Sequence, residues 1–200
     1  VSLKVRAGEI VALAGLQGSG HSELLNGIYG TYGKKVSGQI LLNGLKFTPS
    51  NPSKSIQKGL ALLTNDRKAN GLVLDMSIVH NTTLASLKKF TSGYLLRPQK
   101  EICAANQMAK TLNIKSSGLF QSVKFLSGGN QQKVVMAKWI ETNPKILLLD
   151  EPTRGVDIGA KHEIYELMNR WTKKGIAIVF ITSEMPELLA MSDRILVMHR

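Results

Sequence analysis

Polar and apolar positions alternate from Val1 to Arg6, and Ile10 to Ala14 is wholly apolar, so two early strands are predicted on either side of the turn Ala7-Gly8-Glu9. A glycine-rich loop follows, then a short helix over about Ser22 to Tyr29 that carries Leu24, Leu25 and Ile28 on one face. Gln39 to Leu42 reads as a strand closed by the Asn43-Gly44 turn. Pro49, Asn51 and Pro52 mark a loop, after which a helix containing both Ile56 and Leu60 is expected.

From about Asp75 to Gln121 the pattern turns helix-rich, with Pro98 at a first helical position and Ile102, Ala105, Ala109 and Leu112 at helical spacing. Beyond Leu126 come a helix, the apolar strand ending in Leu149-Asp150, and a second helix with Ile164, Leu167, Met168 and Trp171 at i, i+3, i+4 and i+7. The buried strand Ile176 to Thr182 completes a strand-helix-strand alternation, which implies a parallel sheet. The expected organisation is an α/β core over 1–74, a helical subdomain over 75–125 and the second part of the core over 126–200, without internal repeats.

Composition narrows this picture. Two hundred residues at 43% hydrophobic suffice for one domain, or one domain with a small subdomain. The best apolar run, Ile176 to Thr182, falls far short of the roughly 18 to 20 residues that cross a bilayer, so any membrane role runs through a partner. A net charge of +12 raises nucleic acid or an anionic surface as partners. The basic residues are scattered, however (Lys34, Lys35, Lys54, Lys88, Lys89, Lys100, Lys133, Lys173, Lys174), without aromatic interleaving, and a solvated surface near phospholipid head groups accounts for them as well. The single cysteine, Cys103, excludes an internal disulfide and a cysteine-based zinc site, fits a reducing cytosol, and reads as a helix-face filler. No signal peptide or initiating Met is visible, and the chain reads as a fragment of a longer protein.

Three segments carry candidate chemistry. Gly15-Leu16-Gln17-Gly18-Ser19-Gly20-His21-Ser22 follows a strand and opens a helix, where N-terminal N–H groups and the helix dipole favour an anion. It nearly matches GxxxxGK[S/T], with His21 in place of the lysine that reaches the β- and γ-phosphates; a shorter imidazole supplies no fixed charge there. Ser22 remains able to meet Mg²⁺, and a tight packing turn is the bland alternative. Leu126-Ser127-Gly128-Gly129-Asn130-Gln131-Gln132 places two glycines before a helical pattern, freeing consecutive N–H groups for an anion; an ordinary loop reads equally well from this run alone. Lys145 to Glu151 ends in two carboxylates at a strand's C-terminal end, where Asp150 can hold Mg²⁺ or serve as a turn former. Glu151 can orient or deprotonate water there. Asp157 is a candidate site residue and also an N-cap for the helix beginning near Gly159.

Taken together, the serine-glycine-glycine run and KILLLDE resemble the signature motif and Walker B strand of an ABC-type ATPase. Three stretches, LSGGNQQKVVMAKW (126–139), EPTRGVDIGAK (151–161) and SEMPELLAMSDRILVM (183–198), are similar to the second nucleotide-binding half of the tandem ATP-binding proteins of bacterial ribose, galactose and xylose importers. EPTRGVD argues against the translation-factor and DNA-repair branches. The resemblance implies a P-loop ATPase core with a mostly parallel sheet, antiparallel strands near the N-terminus and an inserted helical subdomain. ATP binding falls to Gly15, Gly18, Ser19, Gly20, His21, Ser22, Asn65, Gly128, Gly129, Asp157 and Ser183. Mg²⁺ falls to Ser22 and Asp150, and catalysis to Glu151, Asp150 and Ser127.

The family's γ-phosphate sensors, a glutamine and a histidine, are replaced here by Asn65 and Ser183, so with His21 three gripping groups are altered in one chain. Cassettes of this type pair head to tail, so the signature of one faces the phosphate loop of the other. The expected partners are a first cassette on the same polypeptide, a second copy, membrane-spanning permease subunits and, indirectly, a periplasmic sugar-binding protein, at the cytoplasmic face of the bacterial inner membrane. The adenine-stacking aromatic is expected upstream, since none lies between Val1 and Gly15. A non-hydrolysing regulatory cassette and a nucleic-acid-acting ABC ATPase are the competing readings; turnover beside the neighbouring cassette tests the first and salt-sensitive DNA or RNA binding the second.

Overall fold

The apolar runs at 10–14, 146–149 and 177–181 form strands because each is buried on both faces and lies between others like it. The computed structural model describes residues 1–16, 18–33 and 38–199; Gln17 of the glycine loop, and Lys34 and Lys35 among the basic residues, lie outside the described residues. The strands are β1 (Ile10–Gly15), β2 (Ile40–Leu42), β3 (Leu45–Phe47), β4 (Leu60–Leu63), β5 (Thr91–Ser92), β6 (Leu95–Leu96), β7 (Ile146–Asp150), β8 (Ala177–Ile181) and β9 (Arg194–Met198). The helices are α1 (His21–Tyr29), α2 (Pro52–Gln57), α3 (Ile78–Thr83), α4 (Pro98–Thr111), α5 (Gly128–Ile140), α6 (Ile158–Thr172) and α7 (Met185–Met191). The chain divides into two compact units, one of Val1–Leu62, Pro144–Glu151 and Trp171–Arg200, the other of Leu63–Asn143 and Pro152–Arg170.

In the first unit a five-stranded sheet has the order β4-β7-β8-β1-β9. β1 runs parallel to β8 and β9, and β7 parallel to β8. The expected parallel core is therefore present, and β2 and β3 form the antiparallel pair near the N-terminus, turned by Asn43 (φ 52°) and Gly44 (φ 78°). Two expectations fail. Val1 to Arg6 forms no strand: β1 is flanked on both sides by β8 and β9 and offers no edge, and the segment is instead held by side chains. Arg6 donates its N–H to Glu9 Oε2 at 2.7 Å, and the Arg194 guanidinium bonds Lys4 O and Glu9. Leu60 does not belong to α2, because Gly59 (φ 84°) reverses the chain and its carbonyl accepts from Lys145 and Ile146, which makes Leu60 the start of β4.

The second unit is helical apart from the small β5–β6 hairpin, which the periodicity did not announce. Pro98 opens α4 as expected, Ala105 and Leu112 are buried, and Cys103 is exposed instead of filling the packed face. In α6, Ile164, Leu167, Met168 and Trp171 are all buried.

Helix α5 carries the unit's polar staples. Gln131, Gln132, Lys133 and Lys138 are 3–6% exposed, and each donates to a backbone carbonyl in a segment outside α5. Gln131 Nε2 meets Val123 O at 3.1 Å, Gln132 Nε2 meets Pro152 O at 2.7 Å, Lys133 Nζ meets Asn113 O at 2.9 Å, and Lys138 Nζ meets Gly71 O at 2.5 Å. Lys133 also pairs with Glu163 of α6. It is a buried tie, and not the solvated surface charge its place among scattered lysines suggested.

Burial pushes the Lys138 ammonium down to about 8. Between that value and the usual lysine range near 10.4 the unfolded chain holds a proton that the folded chain has shed, so stability rises with pH across this window. The rise attributable to Lys138 is of order 3 kcal/mol at most. Urea titrations at pH 7, 8.5 and 10 should show it in the unaltered chain, and Lys138→Met should remove that component of the slope.

Candidate functional site

The loop after β1 is shaped by close approaches. A Cβ at Gly15 would fall 2.4 Å from Ser19 Oγ and 2.9 Å from Met198 O, so only glycine fits. Gly18 (φ 84°) and Gly20 (φ 88°) are left-handed, and Ser19 N–H donates to Leu16 O at 3.0 Å to close the turn. Gly20 is the N-cap of α1 and, having no side chain, leaves the helix start without a side-chain cap among the described residues. Ser19 Oγ and His21 Nδ1 are buried and without a hydrogen-bond partner among the described residues. An uncapped helix start with two orphaned polar atoms beside it suits an anionic phosphate. Ser22 is half-buried on the first turn of α1.

The sheet register aligns this loop with the carboxylates. Ile181 of β8 pairs with Leu13 on one side and with Asp150 on the other, so β1 and β7 end at nearly the same level. Asp150 is 3% exposed. Glu151 is in the left-handed region (φ 50°), unusual for a non-glycine, and donates its N–H to Ile181 O at 3.0 Å. Its carboxylate accepts from the hydroxyl and N–H of Ser183. Burial nevertheless raises Glu151 above the usual carboxylate range; the Ser183 bonds oppose that shift, while the charges of Asp150 and Glu187 add to it. Glu187 is buried on α7 and accepts from Thr182 Oγ1 at 2.7 Å. No cluster of three or more His, Cys, Asp or Glu poised to hold a metal occurs among the described residues. One carboxylate and one hydroxyl, Asp150 and Ser22, suit an ion such as Mg²⁺ that keeps most of its waters and binds phosphate oxygens.

The remaining predicted residues lie in the second unit. Ser127 is the N-cap of α5, and its exposed Oγ accepts from Asn130 N at 3.4 Å and from Asn130 Nδ2 at 2.9 Å. Both bonds use the oxygen as acceptor, which leaves the hydroxyl proton to donate outward. The glycines prove to be steric requirements. A Cβ at Gly128 would fall 2.8 Å from Arg67 Nη2 and 2.8 Å from Gly155 O, and one at Gly129 would fall 2.5 Å from Ala160 Cβ. Asp157 acts as the N-cap its position allowed, with Oδ1 accepting from Ala160 N at 3.0 Å. Asn65 is exposed, and Asp66 beside it caps the π-helical turn Arg67–Gly71.

The predicted residues thus fall into two groups. The first unit gathers Gly15, Gly18, Ser19, Gly20, His21, Ser22, Asp150, Glu151 and Ser183, and the second holds Asn65, Ser127, Gly128, Gly129 and Asp157. Sequence reasoning missed Glu187, Gln132 and Arg67. Gln132 stands in the quoted glutamine pair, and a buried polar side chain opening a helix needs a partner, which was the available signal. Arg67 and Glu187 had no such signal, since their partners lie far off or on another element.

Residues 1–154 match the family model described as ABC transporter. A ribose import ATP-binding protein of Bacillus cereus is 48% identical over 199 residues, covering 100% of this chain and 40% of that protein. A xylose import ATP-binding protein of Geobacillus kaustophilus is 46% identical over 198 residues, covering 99% and 39%. The chain therefore spans about 40% of the length of the curated relatives it matches. Among solved structures, a dimeric post-hydrolysis state of an ATP-binding cassette bound to ADP and Pi aligns at a TM-score of 0.82 and 23% identity, covering 99% of this chain and 84% of that one. The ADP conformation of another ABC transporter cassette aligns at 0.79 and 24%, covering 99% and 79%. The family model spans most of the chain and the curated relatives match it end to end, and this chain belongs to the ABC transporter family.

Proposed function

We propose that this chain is one ATP-binding cassette of a two-cassette protein that hydrolyses ATP to drive sugar import. The observation that carries the reading is an imbalance between its two halves. The phosphate loop has His21 where the lysine belongs, and so lacks that fixed positive charge, whereas Ser127 presents a hydroxyl at the N-cap of α5. Such a chain lends a complete signature to a neighbour and binds its own nucleotide less firmly. The roughly 40% share of each relative's length leaves room for a second cassette. The relatives, named for ribose, xylose and L-arabinose, support a sugar as cargo.

Bound ATP supplies the phosphoanhydride bond to be cleaved. On this chain the N–H groups from Gly18 to Ser22 would cradle its phosphates, Ser22 and Asp150 would hold Mg²⁺, which would screen the phosphate charge, and Glu151 would orient or deprotonate the attacking water. Ser127, Gly128 and Gly129 donate to an ATP seated on the neighbouring cassette's loop, where a preorganised donor acts on charge developing in the transition state. Asp157 steadies the segment beside them. Asn65 and Ser183 stand where the family's sensors would, without a long amide or an imidazole to reach the γ-phosphate. Closure of paired cassettes is passed to membrane-spanning subunits beside the helical subdomain at 75–125, at the cytoplasmic face of the bacterial membrane. A periplasmic sugar-binding protein delivers the cargo.

In the whole protein, Ser127→Arg should lower ATP turnover by about 10²- to 10³-fold, the cost of losing one positioned donor. His21→Ala should lower it far less. Steady-state phosphate release measures both, and the reverse ranking would reverse the assignment of sites.

Because burial raises Glu151, its charge costs stability above its own titration range and costs nothing once it is protonated. Glu151→Gln should therefore melt at a higher temperature than the unaltered chain at pH 7, with the gap closing as pH falls. Scanning calorimetry across pH 4.5–7 reads this, and an equal gap at every pH would exclude the titration as its cause.

A further inference from the structure

We infer that Arg67 is a positioning residue that locks the signature turn and the 152–157 segment into one rigid face. The inference rests on the proposed role of Ser127 at a neighbouring cassette's ATP. Arg67 opens the π-helical turn Arg67–Gly71, a rare geometry that re-aims side chains. Asp66 fixes that turn by accepting from Lys68 N at 3.0 Å and Ala69 N at 2.9 Å. The guanidinium then donates to two consecutive carbonyls nearly ninety positions away, Nη1 to Arg154 O at 2.6 Å and Nη2 to Gly155 O at 3.0 Å. Gly155 is left-handed at φ 64°, the conformation that aligns those carbonyls with one planar fork.

The same Nη2 explains Gly128. A methyl there would fall 2.8 Å from it and 2.8 Å from Gly155 O, so three elements share one space: the turn after Asn65, the segment after Glu151 and the start of α5. Ser127, proposed to reach the neighbouring cassette's ATP, and Asp157, which steadies the segment beside it, flank that junction. A second tie, Gln132 Nε2 to Pro152 O at 2.7 Å, holds the same segment from one turn further along α5. Misplacing a donor by about 1 Å costs on the order of 10²-fold in rate, so a clamp that touches neither nucleotide nor water still sets turnover. Lysine cannot substitute, because a point ammonium does not span two carbonyls as a planar fork does.

In the two-cassette protein, Arg67→Lys and Arg67→Ala would be compared with the unaltered protein for kcat and KM for ATP. Melting temperature and amide hydrogen exchange over residues 127–132 and 152–157 would be measured alongside. Both variants are expected to lose about 10- to 100-fold in kcat with KM changed less than about threefold, lysine giving no rescue, and with faster exchange over 152–157. Arg67 is partly exposed, so both should fold; if Arg67→Ala does not, Arg67→Lys decides. Unaltered kcat below the melting transition, a change confined to KM, or unchanged exchange over 152–157 would each overturn the inference. Ser127→Arg is the control: if it leaves turnover intact, the reading of the shared site fails, whereas its loss beside normal Arg67 variants fails this inference alone.

Discussion

Four buried donors on one helix hold the second unit together. Irregular backbone cannot be packed away from water unless its carbonyls find partners, and an unmet buried polar group costs about 1–3 kcal/mol. Around α5 the carbonyls of Gly71, Asn113, Val123 and Pro152 lie in turns or at the ends of short helices, and Lys138, Lys133, Gln131 and Gln132 supply one donor to each. The helix therefore serves as the post on which four loops are hung. Its start, at Ser127 and Gly128, takes its position from the same fixings.

That arrangement changes what the two glycines of the signature run mean. They read naturally as a device for exposing N–H groups to an anion. Gly128 and Gly129 are also the only residues that fit against Arg67, Gly155 O and Ala160. The absence of side chains at both positions is what lets the turn sit this close to its neighbours.

In the first unit the constraint is sheet register. β7, β8 and β1 end together, so Asp150 and Glu151 and the glycine loop emerge along one edge of the parallel strands. Ser183 leaves the end of β8 beside Glu151 and bonds its carboxylate, while Thr182 turns to Glu187. The Ser183 bonds thereby offset part of the upward shift that burial imposes on the Glu151 carboxyl.

Local signals were legible where one segment contains its own cause. The apolar runs of β1, β7 and β8 predicted buried parallel strands, Asn43-Gly44 predicted its hairpin, and the glycines ahead of α1 predicted a tight turn into a helix, because periodicity and φ preference are properties of adjacent residues. Val1 to Arg6 failed because alternation allows a strand and only a free neighbouring edge makes one. Leu60 failed because the tie between Gly59 and Lys145 spans distant sequence. The sequence by itself determined the buried core strands, most of the helices, the family resemblance and the residue types of the glycine loop. Tertiary structure alone decided that Lys133 and Lys138 are buried staples, that Glu151 rests on Ser183, and that Arg67 reaches Arg154 and Gly155, since each depends on partners that only the folded chain brings within hydrogen-bond distance.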